Sequence, residues 1–191
     1  MAHERKFELT RNGMMLSIDG ITNEELKFRN IRGEVSDFNR NGDRMFDLVL
    51  SESEAMYLYD NGWRVKKRGK GDDGKYHKYS DLNAPCEDAY YFMTINVNLS
   101  SKSPAKVFRC FEEDEDTMYD TTPHANNAVN DMNTIDYDNI LNGELYIYGW
   151  KSRKDGIITP YLDSAIFTVE SNPKAARFAG RRIISDTDSE E

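Results

Sequence analysis

The sequence predicts a mainly-β chain, folded as a small antiparallel barrel with one or two short helices and a flexible acidic C-terminal tail. Three observations carry this expectation. Apolar and polar residues alternate with the period of two that a half-buried strand requires. The alternating segments are separated by Asn-Gly, Asp-Gly and glycine-rich turn signals. Only one stretch carries both a helix start and a helix stop.

Taken in order, residues 1 to 20 are ambiguous, with turns marked at Asn12-Gly13 and Asp19-Gly20. Leu26 to Arg32 reads as a strand, Asn39 to Asp43 as a turn, and Met45 to Leu50 as the returning strand of a hairpin. Ser51-Glu52-Ser53-Glu54 is a capping box, and Asn61-Gly62 supplies the stop, so a helix is expected between them. A strand from Trp63 to Arg68 leads into the loop Gly69 to Lys75. Tyr90 to Leu99 is a long alternating strand, and Lys106 to Phe111 is expected to return beside it after the turn Ser100 to Pro104. The acidic, Asn-rich stretch from Glu112 to Asn142 reads as an insertion with at most a short helix near Asn126 to Met132. Glu144 to Lys151 and Tyr161 to Glu170 form a final hairpin turned by Lys154-Asp155-Gly156. Six or seven such strands point to an OB-fold-like Greek-key barrel, with a β-sandwich as the alternative.

The 191 residues suit one domain, residues 1–180, followed by an acidic tail at 181–191. Eleven Tyr, nine Phe and two Trp argue against disorder, because such a chain can bury enough apolar surface to offset its entropy. The two cysteines, Cys86 and Cys110, form no Cys-x-x-Cys pair, which excludes a zinc ribbon and fits a reducing cytoplasm. No apolar run reaches membrane-spanning length, and Met1 to Lys6 lacks the apolar stretch of a signal peptide, so a cytoplasmic chain is expected.

The net charge of −9 is segregated along the chain. Between Cys110 and Asp138 lie nine acidic residues and no Lys or Arg. The terminal Asp186 to Glu191 adds four more acids, so the remainder of the chain carries −9 plus 13, or +4. Trp63 to Lys78 holds seven Lys or Arg against two Asp, a local +5. A basic strip beside acidic segments suits a protein that binds a polyanion.

Two strands then supply a candidate surface. In Tyr90 to Leu99, the face holding Tyr91, Met93, Ile95, Val97 and Leu99 is a core stripe, and the opposite face begins with Tyr90 and Phe92. In Glu144 to Lys151, Leu145 and Ile147 would face the core, while Tyr146, Tyr148 and Trp150 share the other face. Such a row is suited to stacking bases regardless of sequence. The basic segment contributes Trp63, Arg64, Lys66, Lys67, Arg68 and Lys70, followed by Tyr76 and Lys78 beyond the glycine loop. Arg153 and Lys154 would join them from the final hairpin turn. Cations on a flexible backbone match a phosphate chain.

Catalytic readings find no support. His3, His77 and His124 show no metal-ligand spacing, and no phosphate loop, nucleophile elbow or His-x-Glu motif occurs. No enzyme activity, cofactor or metal is therefore expected.

The aromatic-faced strands, the basic strip Arg64 to Lys70 and the acidic terminus Asp186 to Glu191 together resemble single-stranded-DNA-binding proteins of bacteriophages. Asn142 to Trp150 is similar to the late barrel strands of such proteins. The resemblance implies an OB fold, sequence-tolerant binding of exposed DNA strands, and roles in DNA replication, recombination and repair in the host cytoplasm. The implied partners are single-stranded DNA, replication or recombination proteins, and a second copy of the chain as a homodimer. Many such tails end in an aromatic residue that docks on replication partners, whereas this one ends Asp188-Ser189-Glu190-Glu191. The alternative from another class is a phage structural or assembly protein whose aromatic face is a subunit interface.

Overall fold

A computed structural model of the chain describes residues 5–10, 12–37, 39–112, 114–120, 136 and 138–170. In chain order the elements are β1 (Lys6–Leu9), β2 (Met15–Ile21), β3 (Leu26–Asn30), β4 (Met45–Leu50), α1 (Glu52–Asp60), β5 (Lys66–Lys70) and β6 (Tyr76–Tyr79). They continue with β7 (Glu87–Asn96), β8 (Lys106–Phe111), β9 (Asp114–Asp120), β10 (Ile140–Lys151) and β11 (Ile158–Val169). The fold is mainly β, as expected, and all eleven strands join one sheet ordered β1-β2-β10-β11-β7-β4-β3. The β5–β6 hairpin branches from β7, and β8–β9 branches from β11. Among the described residues no pairing closes this sheet into a continuous ring, so in place of the expected barrel the sheet is open, consistent with an OB-like mainly-β fold.

Several elements follow directly from local chemistry. At α1, the Ser51 hydroxyl accepts from the Glu54 N–H at 3.2 Å, and the Glu54 carboxylate accepts from the Ser51 N–H at 2.9 Å. Both orphan donors of the first turn are thereby satisfied. At the other end Gly62 takes φ 84°, which a side chain resists, and the helix stops there. The final hairpin β10–β11 pairs Tyr148 with Tyr161 and Trp150 with Thr159, and turns through Arg153 to Asp155. The β3–β4 hairpin pairs Leu26 with Leu48, which puts both on the core side.

Three expectations need correction. Lys106 to Phe111 does form a strand, but β8 lies parallel to β11 and antiparallel to β9 instead of beside β7. A strand has only two edges. Those of β7 are taken by β4 on one side and by β5 and β11 on the other, so β8 finds its free edge elsewhere. The Asp19-Gly20 signal marks a bulge inside β2, with Gly20 at φ 80° and a register shift against β10 between Ile18 and Ile21. The acidic stretch is in part a strand, β9. The helix expected near Asn126 to Met132 and the acidic tail lie outside the described residues.

The core is one cluster on one side of the sheet. Leu16, Ile18, Phe46, Leu48, Met93, Ile95, Leu145, Ile147 and Phe167 are all fully buried in it, with Ala55 and Leu58 of α1 packed beneath. Among the described residues, no helix is long and apolar enough to cross a membrane.

Candidate nucleic-acid interface

With Leu145 and Ile147 held in the core, alternation turns Tyr146, Tyr148 and Trp150 to the opposite face of β10. Trp150 is 56% exposed and Tyr146 is also open. Tyr148 stacks on Tyr161 of β11, with centroids 5.5 Å apart and planes within 18°. Register extends this into a row across five strands: Met15, Tyr148, Tyr161, Asn96 and Met45 are successive cross-strand partners. Small residues flank the open rings. Ser17 and Ser164 stand on either side of Tyr146, and Thr159 stands beside Trp150. Burial and the neighbouring Tyr161 push the Tyr148 hydroxyl up from its ordinary range, so it stays a neutral donor.

The basic strip forms a second region of this face. Lys66, Arg68 and Lys70 alternate along β5; across from Arg68 stand Lys78 on β6 and Tyr90 on β7. Tyr76 pairs with Lys70, whose ammonium lies 5.5 Å from the Tyr76 ring centre. Lys70 also bonds Asp88, which raises its pKa, and this exposed pair is of the weak kind that a phosphate can replace.

Arg68 lies 5.7 Å from the ring of Phe28 on β3. Two strands, β4 and β7, separate β3 from β5 in the sheet, a span of roughly 14 Å if flat. The two side chains meet by reaching toward each other over β4 and β7.

Three residues expected at the site are buried, each for its own reason. Phe92 is on the non-core face but only 1% exposed, with Lys78 5.7 Å from its ring centre and Tyr90 5.9 Å away. Its ring is therefore covered by these neighbours and is not free to stack. Lys67 points to the other side of β5, is 5% exposed, and donates to the carbonyls of Leu82 and Ala84. Its charge is engaged by the chain itself. Trp63 is 2% exposed, and its indole N–H donates to the Gly13 carbonyl at 2.9 Å. It packs beneath β10, where a Cβ on Gly149 would come within 3.3 Å of its ring and 2.3 Å of Ile158. Glycine at this position makes room first for Ile158 and then for the Trp63 ring.

Arg64 is exposed and acts electrostatically on Asp155 in the β10–β11 turn, which places it beside exposed Arg153 and Lys154. The turn is held by Asp155, whose carboxyl is kept below the usual range by a hydrogen bond from Ser152, then by the Ile157 N–H and the charge of Arg64. Two acids of the acidic stretch have partners among the described residues. Asp136 accepts from the backbone N–H groups of Ile31 and Arg32 at 2.8 and 3.2 Å, and Asp138 pairs with Arg109 at 2.9 Å.

A sheet face with an aromatic row at one side and cations at the other is suited to a flexible polyanion with exposed bases. Residues 11–186 match the putative phage ssDNA-binding domain family. The chain belongs to that family. Neither a curated protein nor a solved structure matches it. Membership in a single-stranded-DNA-binding family fits the functional class that the charge pattern and aromatic strands predict. The match covers the basic strip, both aromatic strands and the acidic stretch together.

Sequence reasoning missed Phe28, Tyr161 and the flanking Met15 and Met45. Tyr161 was accessible in principle, since a turn at residues 153–155 registers it against Tyr148. The position of Phe28 depends on a backbone bulge that no sequence pattern marks. Among the described residues, no group of three His, Cys, Asp or Glu side chains is placed to hold a metal.

Proposed function

We propose that the protein binds single-stranded DNA independently of sequence, stacking bases on Tyr146, Tyr148, Trp150 and Tyr161 and holding phosphates with Lys66, Arg68, Lys70 and Lys78. The observation that carries this is the sharing of one sheet face by the open rings and the cations. Stacking is indifferent to base identity, because every base has a π-face, and phosphate contacts carry no sequence information. Arg64, Arg153 and Lys154 extend the phosphate path at the β10–β11 turn. The protein acts without catalysis in phage DNA replication, recombination and repair in the host cytoplasm. Its acidic terminus, Asp186 to Glu191, competes with DNA for the cations at low salt.

Titration with oligo-dT, oligo-rU and duplex DNA at two salt concentrations, followed by Trp fluorescence, tests this reading. Quenching by oligo-dT, with affinity falling as salt rises, is the expected result. No quenching and no binding would instead support an assembly protein with the aromatic face as a subunit contact. Deleting Asp186 to Glu191 should tighten binding at low salt, and the gain should shrink as salt screens the competition.

A further inference from the structure

We propose that Phe28 of β3 is a second, separate stacking position for a DNA base, across β7 and β4 from the β10–β11 row, with Arg68 of the basic strip lying over its ring. The inference rests on the reading of the face as a single-stranded-DNA surface, and extends it to a residue outside the aromatic row.

Three observations converge on Phe28. Its backbone has φ 51°, the left-handed region that bulky side chains avoid. The residue is 64% exposed, so burial does not repay that conformation. One guanidinium, Arg68, lies over the ring at 5.7 Å. The strain has a local origin. Between the pairs Lys27–Asp47 and Asn30–Met45, β3 advances three residues while β4 advances two, so β3 carries a one-residue bulge. A bulge residue with positive φ is most cheaply a glycine or an asparagine. The fold needs the bulge, because it keeps Leu26 and Ile31 on the core side, where both are buried. It does not need a phenyl ring there. Strained residues of this kind concentrate at binding sites.

The geometry gives the ring a use. A nucleotide presents a flat base next to a charged phosphate. At Phe28 an exposed aromatic face stands beside a cation already held against it, with Lys27 exposed one residue earlier. In the sheet order, β11, β7 and β4 lie between β10 and β3, so a DNA strand touching both Trp150 and Phe28 crosses three intervening strands.

The test is Phe28→Asn, which keeps the bulge conformation and removes the ring. Its melting temperature should equal or exceed that of the wild type, while its affinity for oligo-dT falls about tenfold, within the range for losing one stacked base. The slope of log K against log salt should not change, since no phosphate contact is lost. Phe28→Tyr should bind as wild type. Unchanged affinity in Phe28→Asn overturns the proposal. If stability and affinity fall together, Phe28→Trp in a Trp150→Phe background decides: oligo-dT quenches the new indole if the position stacks, and an unquenched indole overturns it. Trp150→Ala in the wild-type chain is the parallel arm. If it alone weakens binding, only the assignment of Phe28 fails. If the wild-type chain does not bind oligo-dT, both readings fail.

Discussion

β10 and β7 obey the same alternation and end with opposite outcomes. Each turns one stripe into the core and sets aromatic rings on the other face. On β10 the neighbours opposite Tyr146 and Trp150 are Ser17, Ser164 and Thr159, and those two rings stay open. On β7 the neighbours opposite Phe92 are Lys66 and Val49, with Lys78 reaching over from β6, and the ring is enclosed. The face a residue occupies follows from strand parity. Whether that face is accessible follows from the size of the cross-strand partners and from side chains that reach over from neighbouring strands.

The largest test of this difference is truncation of the enclosed rings. Phe92→Ala and Trp63→Ala should each cost roughly 3–5 kcal/mol of stability, measured by denaturant unfolding. Near-native stability in Phe92→Ala would break the comparison, because the ring would then have to be an open one.

Trp150→Ala sharpens the other half. It should leave stability within about 0.5 kcal/mol of wild type, as for other surface changes, and weaken oligo-dT binding by roughly 1–3 kcal/mol. Equal losses of stability in Trp150→Ala and Phe92→Ala would show that the two strands do not differ.

The cations divide in the same way. Replacing Lys66, Arg68 and Lys78 with Ala should flatten the salt dependence of binding by about 0.7 for each phosphate contact removed. Lys67→Met should leave that slope unchanged and reduce stability by about 1–3 kcal/mol, since the carbonyls of Leu82 and Ala84 lose their donor. A flattened slope in Lys67→Met would mean that its ammonium reaches DNA after all.

The smallest effect concerns acid. Asp155 has a depressed pKa in the folded turn, so its ionised form supports the turn beside Trp150. That support is present above the ordinary carboxylate value of about 3.9 and is lost as pH falls below it. Trp150 fluorescence should show a turn that loosens slightly in this window, and Asp155→Asn should remove the change. A transition of equal size in Asp155→Asn would assign it to another group.

The sequence by itself determined the elements and their sides. The capping box of α1, the β3–β4 and β10–β11 hairpins, the parity of β7 and β10, and the concentration of positive charge in β5 and β6 all depend on residues close in the chain. Local propensity, turn chemistry and period-two patterning act over that range. The tertiary structure decided everything that depends on which strands become neighbours. It sent β8 to β11, because the edges of β7 were full. It turned Lys67 to chain carbonyls, buried Trp63 over the gap left by Gly149, and enclosed Phe92. It also brought Phe28 to Arg68 across two intervening strands. Curvature and strand adjacency are sums over the whole sheet, and no local window of sequence contains them.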